Sequence, residues 1–144
     1  MAITSEICNS FKQEILEAEH DFTASTGNTF NLALYDSSAT LNKSTTAYTT
    51  SDELADTGGY TAKGNALTSV TPVLDSDTAI CDFANTSWTS ASFTARGCLI
   101  FNDSHASDAA VCAIDFGGDK TVTSGTFTVE FPAAAAATAI IQIA

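Results

Sequence analysis

Residues 88–102 read WTSASFTARGCLIFN and change character halfway along. In the first half, Ala91, Phe93 and Ala95 alternate with polar residues, which predicts a strand that buries one face. After Gly97 four successive residues are apolar, which predicts that the same strand ends buried on both faces. A glycine at the change favours a β-bulge. We therefore expect this strand to lie at the centre of the fold.

The remaining sequence predicts further strands separated by turns. Because no helical pattern lies between them, we expect a mainly β protein with a single β-sandwich of the jelly-roll type. Turns are predicted at 75–77 (Asp-Ser-Asp) and 117–120 (Gly-Gly-Asp-Lys), and the alanine run 133–137 predicts an extended or loop segment. The predicted strands are 29–35, 66–74, 78–84, 87–102, 110–116, 126–131 and 139–143, with two shorter ones near 45–50 and at 60–62.

The N-terminal segment has a different pattern from the rest of the chain. Residues 4–19 predict one amphipathic helix, with Thr4 or Ser5 as its cap. A helix of this length is marginally stable alone. We therefore expect it to dock on a neighbouring subunit or, alternatively, to cover one end of its own β-domain. The candidate interface residues on its apolar stripe are Ile7, Phe11 and Ile15.

Two further regions supply candidate contact residues. The polar stretch 36–64 is long for a passive connection, and such loops are often functional. If it faces a partner, Tyr48 and Tyr60 are suitable contact residues. Arg96, on the polar face of the central strand, predicts a carboxylate partner or an interface. We divide the chain into an N-terminal docking arm, residues 1–22, and a β-sandwich domain, residues 23–144.

The charge of the chain excludes two classes of partner. The 144 residues carry a formal net charge of −12, with only five lysines and arginines. Nucleic acids and anionic membranes are polyanions, so neither is expected to bind directly. The sequence shows no signal-peptide pattern and no apolar run of the roughly 18 residues that a membrane span needs. We expect synthesis in a reducing compartment.

The four cysteines match no zinc-binding spacing. A hairpin that turns near His105 would place Cys98 opposite Cys112, as a possible cross-strand thiol pair. The pair would be two buried thiols in a reducing compartment. A disulfide formed after release into an oxidising medium is the alternative.

No motif predicts catalysis. The two histidines, His20 and His105, lie in polar surroundings, and no nucleophile elbow, phosphate-binding loop or metalloprotease motif is present. We therefore predict no enzyme activity, no cofactor and no metal. A calcium ion held by loop aspartates, at Asp75 and Asp77 or at Asp103 and Asp108, is a minor alternative.

Several stretches together carry a resemblance to a known family. They are ICNSFKQEILEAEHDF, NTFNLALYDSSATLNKSTTAYTT, GGYTAKGNAL, WTSASFTARGCLIFN, AIDFGGDKTVTSGTFTVEFPAA and the terminal AIIQIA. The chain resembles, over nearly its whole length, small virion structural proteins of tailed bacteriophages, abundant in marine and cyanobacterial phages. The four cysteines are the main departure from that pattern.

The resemblance implies a non-enzymatic component of the virion, assembled in the host cytoplasm. A capsid decoration (cement) protein that binds the major capsid protein on the capsid exterior is the first expectation, as a homo-oligomer for which a trimer is favoured. The alternatives are a tail, neck or fibre module that contacts host surfaces or adjoining tail proteins, and, in a different class, a carbohydrate-binding domain.

Overall fold

A computed structural model describes residues 2–144. The protein is mainly β, with 48% of residues in strands and 6% in helix, and its strands form two antiparallel sheets. The larger sheet has the strand order β1-β7-β6-β2-β3, and the smaller has the order β4-β5-β8. The elements are β1 (Glu6–Ile7), α1 (Asn9–Leu16), β2 (Phe30–Tyr35), β3 (Asn65–Ala66), β4 (Ser69–Asp75), β5 (Thr78–Phe83), β6 (Thr86–Asn102), β7 (Ala109–Val129) and β8 (Ile141–Ile143).

The central strand is β6, as residues 88–102 predict. Ala91 and Ala95 are fully buried on one face, and the residues from Cys98 to Phe101 are buried on both. The predicted bulge is confirmed, because the pairing with β7 shifts register between Ala95 and Gly97. A side chain at position 97 would lie 2.5 Å from the Ile114 carbonyl oxygen. Glycine is therefore required here by the close approach of β7.

Strand β7 corrects the prediction of a turn at 117–120. The chain does not reverse there, and a single strand runs from Ala109 to Val129, absorbing most of the separate strand predicted at 126–131. Residues 116–119 lie opposite Arg96 alone, between the pairs Gly97–Asp115 and Ala95–Lys120. The glycines allow four residues to bulge opposite one, and a bulge bends the strand that contains it.

The N-terminal helix is shorter than predicted. It begins at Asn9, after Cys8 in extended conformation, and no side chain caps it. Residues 6 and 7 instead form β1, which pairs with β7 at Ala113 and Cys112. Pairing with a sheet edge satisfies backbone groups that a longer helix would have used, so tertiary hydrogen bonds override the helical pattern.

The segment predicted as a docking arm packs into the same core as the β strands. Ile3, Cys8, Phe11 and Phe22 are all buried in that core. The structure thus shows the alternative in which the helix covers its own β-domain, and Phe11 is not available to a neighbouring subunit.

The stretch 36–64 contains neither of the two short strands predicted within it. It is fastened along its length to the larger sheet instead. Backbone hydrogen bonds join Tyr48 to Asp108, Leu54 to Leu34 and Ser92 to Gly58. The stretch therefore covers part of the core.

The two sheets share one core. Phe22 and Phe30 stack with ring centroids 4.2 Å apart, and Phe83 of the smaller sheet lies 6.0 Å from Phe30. Cys81 and Ile141, also from the smaller sheet, belong to the same buried cluster. As predicted, the alanine run 133–137 is not helical; it leads from β7 back to β8.

Candidate binding groove

A concave surface lies along β7. We call this surface the β7 groove, because most of its lining residues belong to β7. It encloses about 470 Å³, which is within the size range of small binding sites. The ring centroids of Phe116, in the bulge, and Phe127 are 6.2 Å apart. The bend in β7 therefore brings two separate parts of the same strand together. The apolar lining consists of Ile114, Phe116, Phe127, Val129, Phe131, Pro132 and Ile140.

The groove exists because of two local features of the sequence. The Gly117–Gly118 pair permits the bulge that brings Phe116 back to the groove. Strand β7 ends at Val129, and the segment after it contributes Phe131, Pro132 and Ile140 to the lining. A shallower continuation reaches β1 and is lined by Ser5, Glu6, Ile7, Cys112, Ala113, Ile114 and Ile140. Of the predicted interface residues, Ile7 is thus the one that borders this surface.

Lys120 lies at the edge of the β7 groove. It is exposed, and among residues 2–144 it makes no ion pair. Glu130 lines the groove as well. The groove therefore combines an apolar floor with one available cation, which suits an occupant that carries apolar side chains next to a carboxylate.

A second apolar surface lies on the smaller sheet. Strand β4 is exposed along most of its length, including Val73 and Leu74, which are 54% and 73% exposed. Ile143 on β8, 55% exposed, lies on the same sheet. An apolar hollow on this sheet is also lined by Ile15 of α1, so the helix contributes to its edge. The other lining residues include Phe22, Pro72, Ile80, Ile141 and Ile143. Leu74 and Ile143 both align with Ala79 of β5 and share one face, whereas Val73 aligns with Ile80 on the other. Exposed apolar side chains on both faces of one sheet are candidate interaction sites.

The predicted contact residues of stretch 36–64 are part of a structural network. Tyr60 is 2% exposed, contrary to expectation, and its hydroxyl donates to Glu53 Oε1 at 2.7 Å while accepting from the Leu34 N–H. Tyr48 is half-buried, donates to Glu53 Oε2, and stacks on Phe101. Burial, together with the hydrogen bond to Glu53, raises the pKa of both tyrosines. The two side chains hold the loop to its own core.

Lys63 occupies the place that the calcium alternative assigned to an ion. Its Nζ lies 2.9 Å from both Asp103 Oδ1 and Asp108 Oδ2, and 5.5 Å from the centre of the Tyr48 ring. The hydrogen bonds to the two aspartates raise the pKa of the lysine ammonium. The Lys63 ammonium between these carboxylates repels a metal cation. The two ion pairs instead fasten the β6–β7 turn to stretch 36–64.

The histidines form a second polar cluster, which no sequence pattern predicts. The fully buried ring of His20 bonds Glu14 through Nε2 at 2.7 Å, and Nδ1 lies 3.1 Å from the Asn102 amide. His105 stacks near it, with ring centroids 6.2 Å apart. These contacts join the end of α1 to the β6–β7 turn.

One arrangement within this cluster has the residue types of a hydrolytic triad. Ser107 Oγ lies 3.0 Å from His105 Nδ1, and Glu19 Oε2 lies 3.0 Å from His105 Nε2. Ser107 is on the exposed hairpin turn, and none of the three residues lines the β7 groove. Because the Ser107 backbone N–H also donates to Nδ1, the local geometry is that of a turn closed by a side chain.

The remaining single residues are structural. Arg96 has the carboxylate partner that was one of its two predicted roles: its Nε lies 2.9 Å from Asp115 Oδ1, and the ion pair lowers the pKa of that carboxyl. Trp88 is buried in contact with Phe127. With Trp88 and Tyr60 buried, neither ring forms an exposed platform for a sugar.

Cys98 and Cys112 are not directly opposite each other, which corrects the predicted pairing. Cys98 pairs with Ile114, and Cys112 pairs with Ile100. A bulge between Ile100 and Phe101, with Val111 as the extra residue, shifts the register. All four cysteines are free and buried. Burial raises the pKa of Cys112 to about 12 and that of Cys8 to about 11, so their thiols stay protonated.

Comparisons with known proteins add no relationship. A scan against protein-family models, a search of curated proteins and a search of solved structures each returned no match. Within residues 2–144, no helix has the length and apolar character needed to cross a membrane.

Proposed function

We propose that this protein is a non-enzymatic structural component of a tailed-bacteriophage virion, most simply a decoration protein that binds the major capsid lattice from outside. The observation that carries the proposal is the set of exposed apolar side chains on the smaller sheet, Val70 and Val73 on one face and Leu74 and Ile143 on the other. A free monomer gains nothing from exposing these side chains, whereas an assembly protein buries them against its neighbours.

The sequence resemblance and the charge support the same proposal. The stretches that resemble virion proteins include the central strand β6, WTSASFTARGCLIFN, and the strand that lines the β7 groove, AIDFGGDKTVTSGTFTVEFPAA. A net charge of −12 suits a protein on the outside of a shell, away from the packaged DNA. In this proposal the two sheets form a jelly-roll-like sandwich, and the protein assembles as a homo-oligomer, for which the resemblance favours a trimer.

The polar clusters also support a structural role. Lys63 and His20 bond groups from distant parts of the chain, and Glu53 joins three residues within stretch 36–64; these bonds hold the loops in one conformation. Such side chains are committed to holding one rigid shape, as a component repeated over a particle surface requires.

The test is the abundance of the chain in purified particles. Virions of a phage that carries this coding sequence are purified by density gradient, and the chain is quantified by mass spectrometry against the major capsid protein. A ratio corresponding to a regular fraction of the capsid lattice supports a decoration protein. A few copies per particle moves the proposal to the tail, and absence from particles overturns it.

A further inference from the structure

Two uncovered apolar surfaces of this chain have complementary chemistry. The first is the β7 groove. The second is the hairpin between β4 and β5, residues 73–77, which we name the β4–β5 tip. It presents exposed Val73 and Leu74 followed by the acidic pair Asp75 and Asp77. Apolar side chains next to carboxylates are the occupant that the groove suits.

Charge makes the match specific. Two copies of a chain with a net charge of −12 repel each other over most of their surfaces. Of the five basic residues, Lys63 and Arg96 are bonded to aspartates of their own chain. Lys12, Lys43 and Lys120 make no ion pair within residues 2–144, and of these three Lys120 lines the groove, where it can meet a carboxylate of another copy. Opposite charges at this point set the register of the contact.

The two surfaces also adjoin each other on one chain. Asp75 Oδ2 accepts a hydrogen bond of 2.7 Å from the backbone N–H of Ala136, in the segment that continues from Pro132 to Ile140 along the groove wall. The tip is therefore anchored beside the groove and cannot enter it within the same chain without breaking this bond. A second copy supplies a tip that is free to do so.

We propose that a second copy of this chain occupies the β7 groove: the β4–β5 tip of one copy places Leu74 among Phe116, Phe127 and Val129 of the other, with Asp77 facing Lys120. Because the contact joins unlike surfaces, two copies can exchange tips as a reciprocal pair, and more copies can form a ring or an open chain. The inference rests on the homo-oligomer of the proposed function and names its self-contact, which uses Leu74 from the exposed apolar side chains invoked there.

The test is self-association of the full chain, measured by sedimentation velocity and light scattering over a concentration series. Leu74→Asp places a charge against the apolar floor and is expected to weaken self-association by about tenfold or more. Leu16→Asp is the matched control, because Leu16 is 88% exposed and lines neither surface. It is expected to leave the association unchanged.

A charge exchange tests the register of the contact. Lys120→Glu and Asp77→Lys alone should each weaken association, and the double variant should restore it. Far-UV circular dichroism and thermal melting show that each variant is folded. Wild type that stays monomeric throughout overturns the inference, as does association that Leu74→Asp leaves unchanged. A monomer that still binds capsids would overturn the inference alone and leave the proposed function standing.

Discussion

Glu53 shows how much a single carboxylate controls in this protein. It accepts hydrogen bonds from the hydroxyls of Tyr48 and Tyr60 and from the backbone N–H of Lys63. Without this acceptor, the buried Tyr60 hydroxyl would have no group to which it could donate a hydrogen bond. The loop 36–64 thus depends on a residue that the sequence pattern does not distinguish from its acidic neighbours.

Replacing Glu53 with glutamine should destabilise the protein. The amide turns one acceptor into a donor that faces a tyrosine hydroxyl, and leaving a buried group unsatisfied costs about 1–3 kcal/mol. Urea unfolding would measure the loss. The control is Asp56→Asn, which removes the charge of an exposed carboxylate in the same loop and should leave the free energy of unfolding nearly unchanged. An equal effect of both variants would contradict the role assigned to Glu53.

Asp82 is a buried carboxyl whose replacement should stabilise the protein. Burial raises its pKa, and the backbone N–H groups of Phe83 and Ile140 oppose this shift only in part. Since the folded pKa lies above the unfolded one, the ionised side chain destabilises the fold at neutral pH. Asp82→Asn should raise the free energy of unfolding at pH 7 by on the order of 1 kcal/mol.

The pH dependence provides the check on Asp82. As the pH falls through the raised pKa, wild type takes up a proton that the unfolded chain binds less readily, so the advantage of Asp82→Asn should shrink. Asp77→Asn on the exposed turn is the control. An advantage that stays constant from pH 7 to pH 4 would show that charge burial is not its cause.

At the scale of elements, two glycines with the same backbone conformation have different functions. Gly64 and Gly117 both have positive φ angles, 66° and 79°. A Cβ at position 64 would lie 1.8 Å from the Leu32 carbonyl oxygen, whereas a Cβ at position 117 would meet no atom within 4 Å. Gly64 permits close contact with β2, and Gly117 needs only its backbone freedom.

Alanine substitutions separate these two requirements. Gly117→Ala should cost only the strain of the left-handed conformation, about 1–2 kcal/mol. Gly64→Ala must also displace β2 and should cost more than about 4 kcal/mol or prevent folding. Chemical unfolding of both variants gives the comparison, and similar costs would contradict the packing of the 36–64 stretch on β2.

The helix α1 belongs to the core of the domain, and this can be tested directly. Phe11→Ala should lower the free energy of unfolding by about 3–5 kcal/mol, because the ring fills space between His20 and Phe22. Leu16→Ala, on the exposed side, should change it by less than about 0.5 kcal/mol. If Phe11→Ala were as mild as Leu16→Ala, the N-terminal segment would be the separable arm that the sequence suggested.

At the scale of the whole molecule, residue pattern predicted what depends on burial alone. Alternation identified β2 and β6, and the unbroken apolar run after Gly97 correctly indicated burial on both faces. The mainly β class followed from the same patterns. Strand boundaries in these regions agree with the structure to within a residue or so.

The errors arise where partners distant in sequence decide. Gly117–Gly118 is compatible with a turn or a bulge, and only pairing with β6 selects the bulge that creates the β7 groove. Tyr60 is buried against β2, where its hydroxyl accepts from the backbone N–H of Leu34, 26 residues away. The hairpin pairs Asn102 with Ala109, one position off the predicted symmetry, and the extra residue Val111 adds a second, so Ile114 lies opposite Cys98 in place of Cys112. Lys63 was not singled out, although its two aspartates were.

The most direct measurement is cryo-electron microscopy of the intact virion, with the structure fitted into density outside the major capsid protein. The proposal predicts density for this chain at regular positions over the capsid lattice. It also predicts that Val73 and Leu74 of β4 are buried against a neighbouring chain. Density confined to the tail or neck would contradict the capsid assignment. A virion with no density for the chain would contradict the structural role altogether.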